Sequence, residues 1–154
     1  MKYPNLVFDL YGTLVDIHTE ESDAVWEKTA VYFGFYGAHY TGPGLKQAFT
    51  AALSAREAKA GQSYECFPDI PFEVIMTELF QRKGVSDNAP ALGKNAAQFF
   101  RILSLAYIRL YPGVLEALAA LREKGLRLWL LSNAQQVFTA YELRYLGLGE
   151  QLDG

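Results

Sequence analysis

The chain has 154 residues, 51% hydrophobic and 20% charged, with a formal net charge of −3. This length suits one domain, or a core with an insertion, and buries about two-thirds of the unfolded surface. The acidic balance argues against nucleic-acid binding, the apolar runs are too short to cross a membrane, and the single Cys66 excludes an internal disulfide or a Cys-rich zinc site.

The first predicted element is a strand over Asn5–Phe8 that ends on Asp9 and is followed by a Gly12-Thr13 turn. The apolar run is typical of a buried parallel strand. Open α/β sheets bind their ligands at the carboxyl ends of such strands, and a carboxylate there can act as a covalent nucleophile. Pro4 and Asp9 leave no room for a signal-peptide core, so we expect a cytoplasmic protein.

A long helical region follows the turn and continues to about residue 109. Three-to-four spacing of apolar residues predicts its first helix, with Thr19 or Ser22 as cap. A break around Gly42-Pro43-Gly44 and a loop over Gly61–Pro71 separate the next helices. The four predicted helices cover Glu20–Phe35, Leu45–Ala60, Phe72–Arg82 and Leu92–Arg109.

The pattern changes at Tyr111-Pro112-Gly113. An amphipathic helix over Val114–Lys124 ends at Gly125, and an apolar run over Leu126–Leu131 predicts a strand covered on both faces. Ser132-Asn133 ends that strand and a helix over Ala134–Leu146 follows. The chain is therefore predicted to be an α/β protein with a parallel two-stranded core, residues 1–16 and 109–154, and a helical cap inserted at residues 17–108.

Each polar segment after a strand has a structural interpretation of its own. A Gly-Thr turn is often only a tight connection, and Ser-Asn before a helix is often only a cap. Their position at the ends of two neighbouring strands favours a functional site.

These residues resemble the haloacid dehalogenase superfamily of hydrolases, which have a Rossmann-like core. Residues 9–16 match its first motif, Asp-x-[Asp/Tyr]-Gly-Thr-Leu-x-Asp, and Leu130-Leu131-Ser132-Asn133 matches its second. The insert lies where this family places its first type of helical cap. The resemblance covers essentially the whole chain, and the first motif is the specific one.

The resemblance implies a role for each matching residue. Asp9 is the expected nucleophile, which forms an aspartyl intermediate that water hydrolyses. Thr13, Ser132 and backbone N–H groups of the turn, at Leu10 and Gly12, are expected to hold the anionic group. Asn133, at the start of a helix, adds a site that favours anions. Asp16 is interpreted as structural, through a cap or a salt bridge.

Tyr11 distinguishes this chain from most phosphatases of the family, which carry an acid-base Asp there. A phenol is a poor base at neutral pH, and tyrosine is what the family's 2-haloacid dehalogenases have. Those dehalogenases also have an arginine early in the cap. This chain lacks it, because Thr29 to Leu45 contains no Arg or Lys. Arg56 and Arg82 are possible substitutes. The same region holds an aromatic cluster that either packs the cap or floors a pocket, Tyr32, Phe33, Phe35, Tyr36, His39 and Tyr40.

The chain stops at Gly154, before the family's third motif with its lysine and fourth motif with its acids. In metal-dependent members those acids complete a Mg²⁺ site with residues that correspond to Asp9 and the Tyr11 carbonyl. The cofactor is therefore Mg²⁺ if the protein is phosphatase-like and none if it is dehalogenase-like. We expect a fragment of a longer hydrolase, or a chain whose first strand needs a partner, such as a second copy in a homodimer.

Three functional hypotheses follow. The first is a hydrolase that acts on a small anionic molecule, with dehalogenation and phosphate-ester hydrolysis both open. The second is a catalytically impaired interaction module. A flavodoxin-like receiver is the weakest, because its acceptor aspartate lies on a later strand than Asp9.

Overall fold

The computed structural model describes residues 3–60 and 69–154, which form two compact units. The core unit consists of residues 1–19 and 105–154, and the helical unit of residues 20–104. In chain order the elements are β1 (Asn5–Phe8), β2 (Val15–Thr19), α1 (Asp23–Phe35), α2 (Gly42–Ala60), α3 (Phe72–Arg82), α4 (Ala89–Ser104), β3 (Leu105–Leu110), α5 (Val114–Glu123), β4 (Arg127–Leu130) and α6 (Gln136–Tyr145). None of the helices in the described ranges is long and apolar enough to span a bilayer.

The core unit is built on the parallel pairing of β1 with β4. The register runs from Asn5 opposite Arg127 to Phe8 opposite Leu130, with α5 in the connection before β4. A strand, a helical crossover and a parallel neighbour are the signature of an α/β fold. The predicted fold class is therefore confirmed.

Only one face of this sheet is buried within the described residues. Leu128 is fully buried, and Phe8 and Leu130 pack against the same apolar cluster, which also contains Leu118 of α5. On the opposite face Val7 keeps 60% of its surface exposed. The buried strand predicted over Asn5–Phe8 is thus half-buried among the described residues, because exposed and partly buried residues alternate along β1. In β4 only Arg127 is exposed.

The other edge of β4 is occupied by the end of the described chain. The Asp153 N–H donates to the Leu128 carbonyl at 2.7 Å, and the Leu130 N–H donates to the Gly154 carbonyl at 2.6 Å. The Asp153 carboxylate also accepts from the Leu128 N–H at 2.8 Å and lies 3.1 Å from Arg122 of α5. These bonds hold β4 between two neighbouring segments.

A second pair of strands, β2 and β3, forms an antiparallel ladder in the core unit. The sequence assigned residues 105–109 to the end of a helix, and that assignment is wrong because α4 ends at Ser104. Exposed and partly buried residues alternate in β3 from Tyr107 to Leu110, and His18 of β2 stacks on Tyr107 with ring centroids 5.9 Å apart. Cross-strand aromatic contacts of this kind stabilise a strand pair.

The helical unit contains α1 to α4, close to the predicted bounds. The range of α3 is as predicted, whereas α2 begins at Gly42, three residues earlier than expected, and α1 begins at Asp23. Most of the loop predicted over Gly61–Pro71 lies outside the described residues.

The aromatic residues of α1 divide into packed and exposed groups. Phe33 is fully buried and stacks on Phe80 with ring centroids 3.9 Å apart, and Tyr32 stacks on Phe99 at 5.2 Å. Phe35, by contrast, is 84% exposed and lines a cleft of about 570 Å³ with His39. Within this unit Phe33 and Tyr32 therefore pack against other rings, whereas Phe35 and His39 line the cleft.

The two arginines considered as substitutes for the missing cation bind one carboxylate of α3. Arg56 lies 2.6 Å from Glu78, and Arg82 contacts the other Glu78 oxygen at 2.5 Å. Partial burial raises the pKa of Glu78, but the hydrogen bonds from Arg82 and Arg56 outweigh it and lower this pKa below its ordinary value of 4.5. Both guanidinium groups are therefore paired with a carboxylate inside the helical unit.

Gly93 sets the spacing between α3 and α4, which yields a first test. A Cβ atom at this position would lie 2.6 Å from the Thr77 nitrogen and 2.8 Å from the Glu73 carbonyl oxygen, so the helices would have to separate. We expect Gly93→Ala to lower the free energy of unfolding by about 1–3 kcal/mol, although alanine favours helix. Gly34→Ala in α1 is the control, because its Cβ would meet only His39 at an ordinary 3.7 Å. Equal stability of the two variants in urea melts would contradict this packing.

The ion pairs of Glu78 predict a pH dependence of stability. Because the folded pKa is lowered, the stabilisation is present above the ordinary value of 4.5 and is lost as pH falls through the folded pKa. Glu78→Gln should therefore cost about 1 kcal/mol at pH 7 and progressively less below pH 4. The exposed Glu57→Gln on α2 serves as the control. A cost of Glu78→Gln that is the same at pH 7 and pH 3 would refute the assignment.

Candidate active site

A pocket of about 590 Å³ lies in the core unit where β1 and β4 end. Asp9 follows β1 directly, and the segment that starts at Leu131 follows β4. Both belong to the same edge because the strands are parallel. The described residues that line the pocket are Asp9, Tyr11, Leu131, Ser132, Asn133 and Ala134.

The strand register brings the two motifs together. Phe8 is opposite Leu130, and the Leu131 N–H continues the ladder by donating to the Phe8 carbonyl at 2.9 Å. Asp9 and Ser132 therefore leave the sheet side by side. Asp9 is exposed, so a molecule in the pocket can reach its carboxylate.

The turn after Asp9 is closed by its own backbone bonds. The Leu10 carbonyl accepts from the N–H groups of Thr13, Leu14 and Val15 at 3.3, 2.9 and 3.0 Å. Gly12 has φ +77°, a conformation that favours glycine, and its N–H donates to the Val15 carbonyl at 2.9 Å. An anion would have to compete with these bonds for the N–H groups of Gly12 and Thr13.

The structure separates the predicted site residues into two groups. Asp9, Tyr11, Ser132 and Asn133 share the pocket. The side chain of Leu10 is buried in the core, so its backbone alone is available to a substrate. Thr13 is exposed, and the described lining does not include the remaining three predicted residues, Leu10, Gly12 and Thr13.

The segment after β4 differs from the prediction at its helix. The Ser132 hydroxyl accepts from the Ala134 N–H at 3.3 Å, and α6 begins only at Gln136, with Gln135 as its cap. Asn133 therefore lies three residues before the helix and not at its first turn. The prediction that Asn133 lies at the positive end of a helix is therefore wrong, and the helix dipole does not favour an anion there because its effect is confined to the first turn.

Glu142 of α6 is a site-related residue that the sequence did not reveal. The Tyr11 hydroxyl donates a hydrogen bond to its Oε2, and Glu142 is 7% exposed. Glutamates on helices usually face water, so the spacing offered no sign of a buried partner for Tyr11. The only signal was the position of Glu142 next to the apolar Leu143.

Asp16, the last residue of the first motif, has the structural role expected for it. Its Oδ2 accepts from Arg109 Nε at 2.9 Å and lies 2.8 Å from Nη2, across the β2–β3 ladder. The hydrogen bond that Arg109 donates to Asp16 raises the pKa of the Arg109 guanidinium. Asp16 thus ties the two strands and does not line the pocket.

Among the described lining residues, Asp9 carries the only formal charge. No group of three His, Cys, Asp or Glu residues within 3–60 and 69–154 is placed to hold a metal. Magnesium, however, is commonly bound through one or two protein oxygens plus water and substrate phosphate. The Asp9 carboxylate and the Tyr11 carbonyl provide oxygen donors of that kind, so the residues present fit part of such a site.

Comparison with known proteins identifies the family. A family model of haloacid dehalogenase-like hydrolases matches residues 3–154. The chain therefore belongs to the haloacid dehalogenase-like hydrolase family, as the two motifs predicted. No curated protein matches it.

Several solved structures are similar to this chain at low identity. One from Thermotoga maritima, provisionally assigned as a β-phosphoglucomutase, has 20% identity and a TM-score of 0.44, covering 97% of this chain and 58% of its own. A "predicted phosphoglycolate phosphatase" from Haemophilus somnus 129pt has 19% identity and a TM-score of 0.43, covering 99% and 61%. A "predicted phosphatase" from Clostridium acetobutylicum has 19% and 0.41, covering 98% and 59%. The chain thus spans about three-fifths of their length.

Proposed function

We propose that this protein hydrolyses a small phosphate ester through a covalent intermediate on Asp9. The observation that carries the proposal is that Asp9 and Ser132 line one pocket at the ends of β1 and β4. A carboxylate needs no activating base to act as a nucleophile, and here it is exposed to the pocket. Family membership supports hydrolysis as the class of reaction.

Neutral donors are proposed to hold the transferred group. The Ser132 hydroxyl and the Asn133 amide lie in the pocket with Asp9 and can donate to anionic oxygens. Leu10 would contribute through its backbone N–H. Thr13 and Gly12 stay predictions, since their N–H groups already donate within the turn.

For a phosphate substrate we propose that Mg²⁺ is the cofactor. The Asp9 carboxylate and the Tyr11 backbone carbonyl would hold it, with water and substrate oxygens as further ligands. When bound, the ion would offset the repulsion between Asp9 and the substrate, about 4 kcal/mol for unit charges 4 Å apart at an effective dielectric of 20.

Dehalogenation of a 2-haloacid is the second candidate, and Tyr11 favours it. This residue occupies the position where an acid-base aspartate would serve a phosphatase, and its hydroxyl donates to Glu142. A halide leaves without a proton, so this chemistry does not need that aspartate. It would also proceed without a metal ion.

A substrate panel with a nucleophile variant tests the proposal. Phosphate esters and 2-haloacids would be assayed with Mg²⁺ and with EDTA, by release of phosphate or halide. Asp9→Asn should reduce kcat by a factor of about 10³ or more, because an amide cannot form the intermediate. Asp16→Asn, which removes a carboxylate from the same motif but outside the pocket, should keep most of the activity.

The outcomes separate the hypotheses. Phosphate release that requires Mg²⁺ supports the first candidate, and halide release in EDTA supports the second. Full activity of Asp9→Asn would refute the nucleophile. Absence of any turnover by the wild-type chain would favour the interaction module over an enzyme.

A further inference from the structure

The helical unit contains a cleft whose lining shares no residue with the proposed active site. Its volume is about 570 Å³, which is in the range of small-molecule sites. One wall is a single face of α1, because the lining residues follow the i, i+3, i+4, i+7, i+8 spacing of a helix. These residues are Glu27, Ala30, Val31, Gly34 and Phe35. We call this cavity the α1 cleft.

The segment that follows α1 forms the opposite wall of the α1 cleft. Gly37 has φ +86°, the left-handed conformation that commonly ends a helix and turns the chain. The chain returns along α1, since a Cβ atom at Gly34 would lie 3.7 Å from His39 Nδ1. A Cβ atom at Gly42 would lie 2.7 Å from Glu27 Cγ. The backbone itself therefore fixes the distance between the two walls.

The apolar part of the α1 cleft is accessible to a ligand. Phe35 is 84% exposed and Val31 is 60% exposed, and both line the cleft. Gly34, which lies on the same face of α1, has no side chain that would fill the space beside them. Contiguous exposed apolar side chains often mark a binding groove. The α1 cleft can therefore hold an apolar group.

Glu27 gives the α1 cleft its charge. It is the only acidic residue among the described lining residues, which include no lysine or arginine. Glu27 is exposed, and its carboxylate makes no hydrogen bond or ion pair with another residue of 3–60 and 69–154. The residues one turn away on α1, Asp23 and Val31, supply no cation. The charge of the lining is therefore complementary to a cationic ligand.

The first turn of α2 does not turn the α1 cleft into an anion site. The Gly44 N–H donates to the Thr41 hydroxyl at 3.1 Å, and the Leu45 N–H donates to the Thr41 carbonyl at 2.8 Å. Pro43 has no N–H group. Most donors that a helix start offers to an anion are thus already used or missing.

We propose that the α1 cleft binds a small organic cation in which an ammonium group is joined to an apolar body. The Glu27 carboxylate would pair with the ammonium group. The exposed ring of Phe35 would contact the ligand through its face, which attracts cations and also packs against apolar groups. Val31 would extend the apolar wall. The site is separate from the proposed reaction, because none of these residues takes part in it.

Three probes that share a phenylethyl group and differ in charge test the proposal on the full chain. They are 2-phenylethylammonium, the neutral 2-phenylethanol and the anionic 3-phenylpropanoate. Amide NMR spectra recorded during each titration would give the dissociation constant and locate the site. We expect the ammonium ion to bind about three- to tenfold more tightly than the alcohol, with shifts along α1, because an exposed ion pair and a cation–π contact each contribute a small factor. This preference should decrease at high salt.

Variants assign the preference to named side chains. Glu27→Gln should bind the ammonium ion about as weakly as the wild type binds the alcohol, with its affinity for the alcohol unchanged. A purely structural role of Glu27 would weaken both probes alike. Phe35→Ala removes the apolar wall and should weaken both. Glu57→Gln, at an exposed position of α2 outside the cleft, makes the same change in net charge and should keep the wild-type preference.

Several results would overturn the proposal. They are equal affinity for the ammonium ion and the alcohol, tighter binding of 3-phenylpropanoate, an unchanged preference in Glu27→Gln, and no shifts along α1 with any probe. Potassium chloride that causes the same shifts would show a site for any monovalent cation and would also overturn it. Asp9→Asn, which should lose hydrolysis, should still bind 2-phenylethylammonium. Ammonium binding by a chain without turnover would contradict the proposed function alone.

Discussion

The parallel register of β1 and β4 is the constraint on which the site depends. Phe8 lies opposite Leu130, so the residues that follow each strand leave the sheet at the same point. A shift of one residue would displace the strands by about 3.3 Å and turn each side chain to the other face. Asp9 and Ser132 would then no longer share a pocket.

Several interactions maintain that register. Leu128 is fully buried in the apolar cluster. Its carbonyl accepts from the Asp153 N–H, and its own N–H donates to the Asp153 carboxylate. The closed turn at Leu10 fixes the direction in which the chain leaves β1, and Tyr11 is held through Glu142. The position of the pocket residues is therefore fixed by contacts with α5 and α6.

The sequence predicted the elements whose signals are local. Pro71 and Gly84 bound α3, and apolar runs that end on polar residues identify β1 and β4. It missed β3 because Leu105–Leu110 follows α4 with no breaker, and its partner β2 lies about ninety residues earlier. The sequence did not reveal the contact of Glu142 for the same reason, because its partner Tyr11 is 131 residues away. Asp9 and Ser132 were predictable because motif and strand end coincide, whereas a buried carboxylate on a helix has no such pattern.

The charge of the pocket lining determines how much the binding of each candidate substrate would gain from a metal ion. The described lining contains the Asp9 carboxylate and no cationic side chain. A phosphate dianion meets twice the charge repulsion of a haloacid monoanion at equal distance, since Coulomb energy is proportional to charge. Binding of the dianion thus gains much more from a divalent cation than binding of the monoanion does. One arrangement of residues would in this way suit either proposed reaction, the metal-assisted hydrolysis of a phosphate ester or the metal-free dehalogenation of a haloacid.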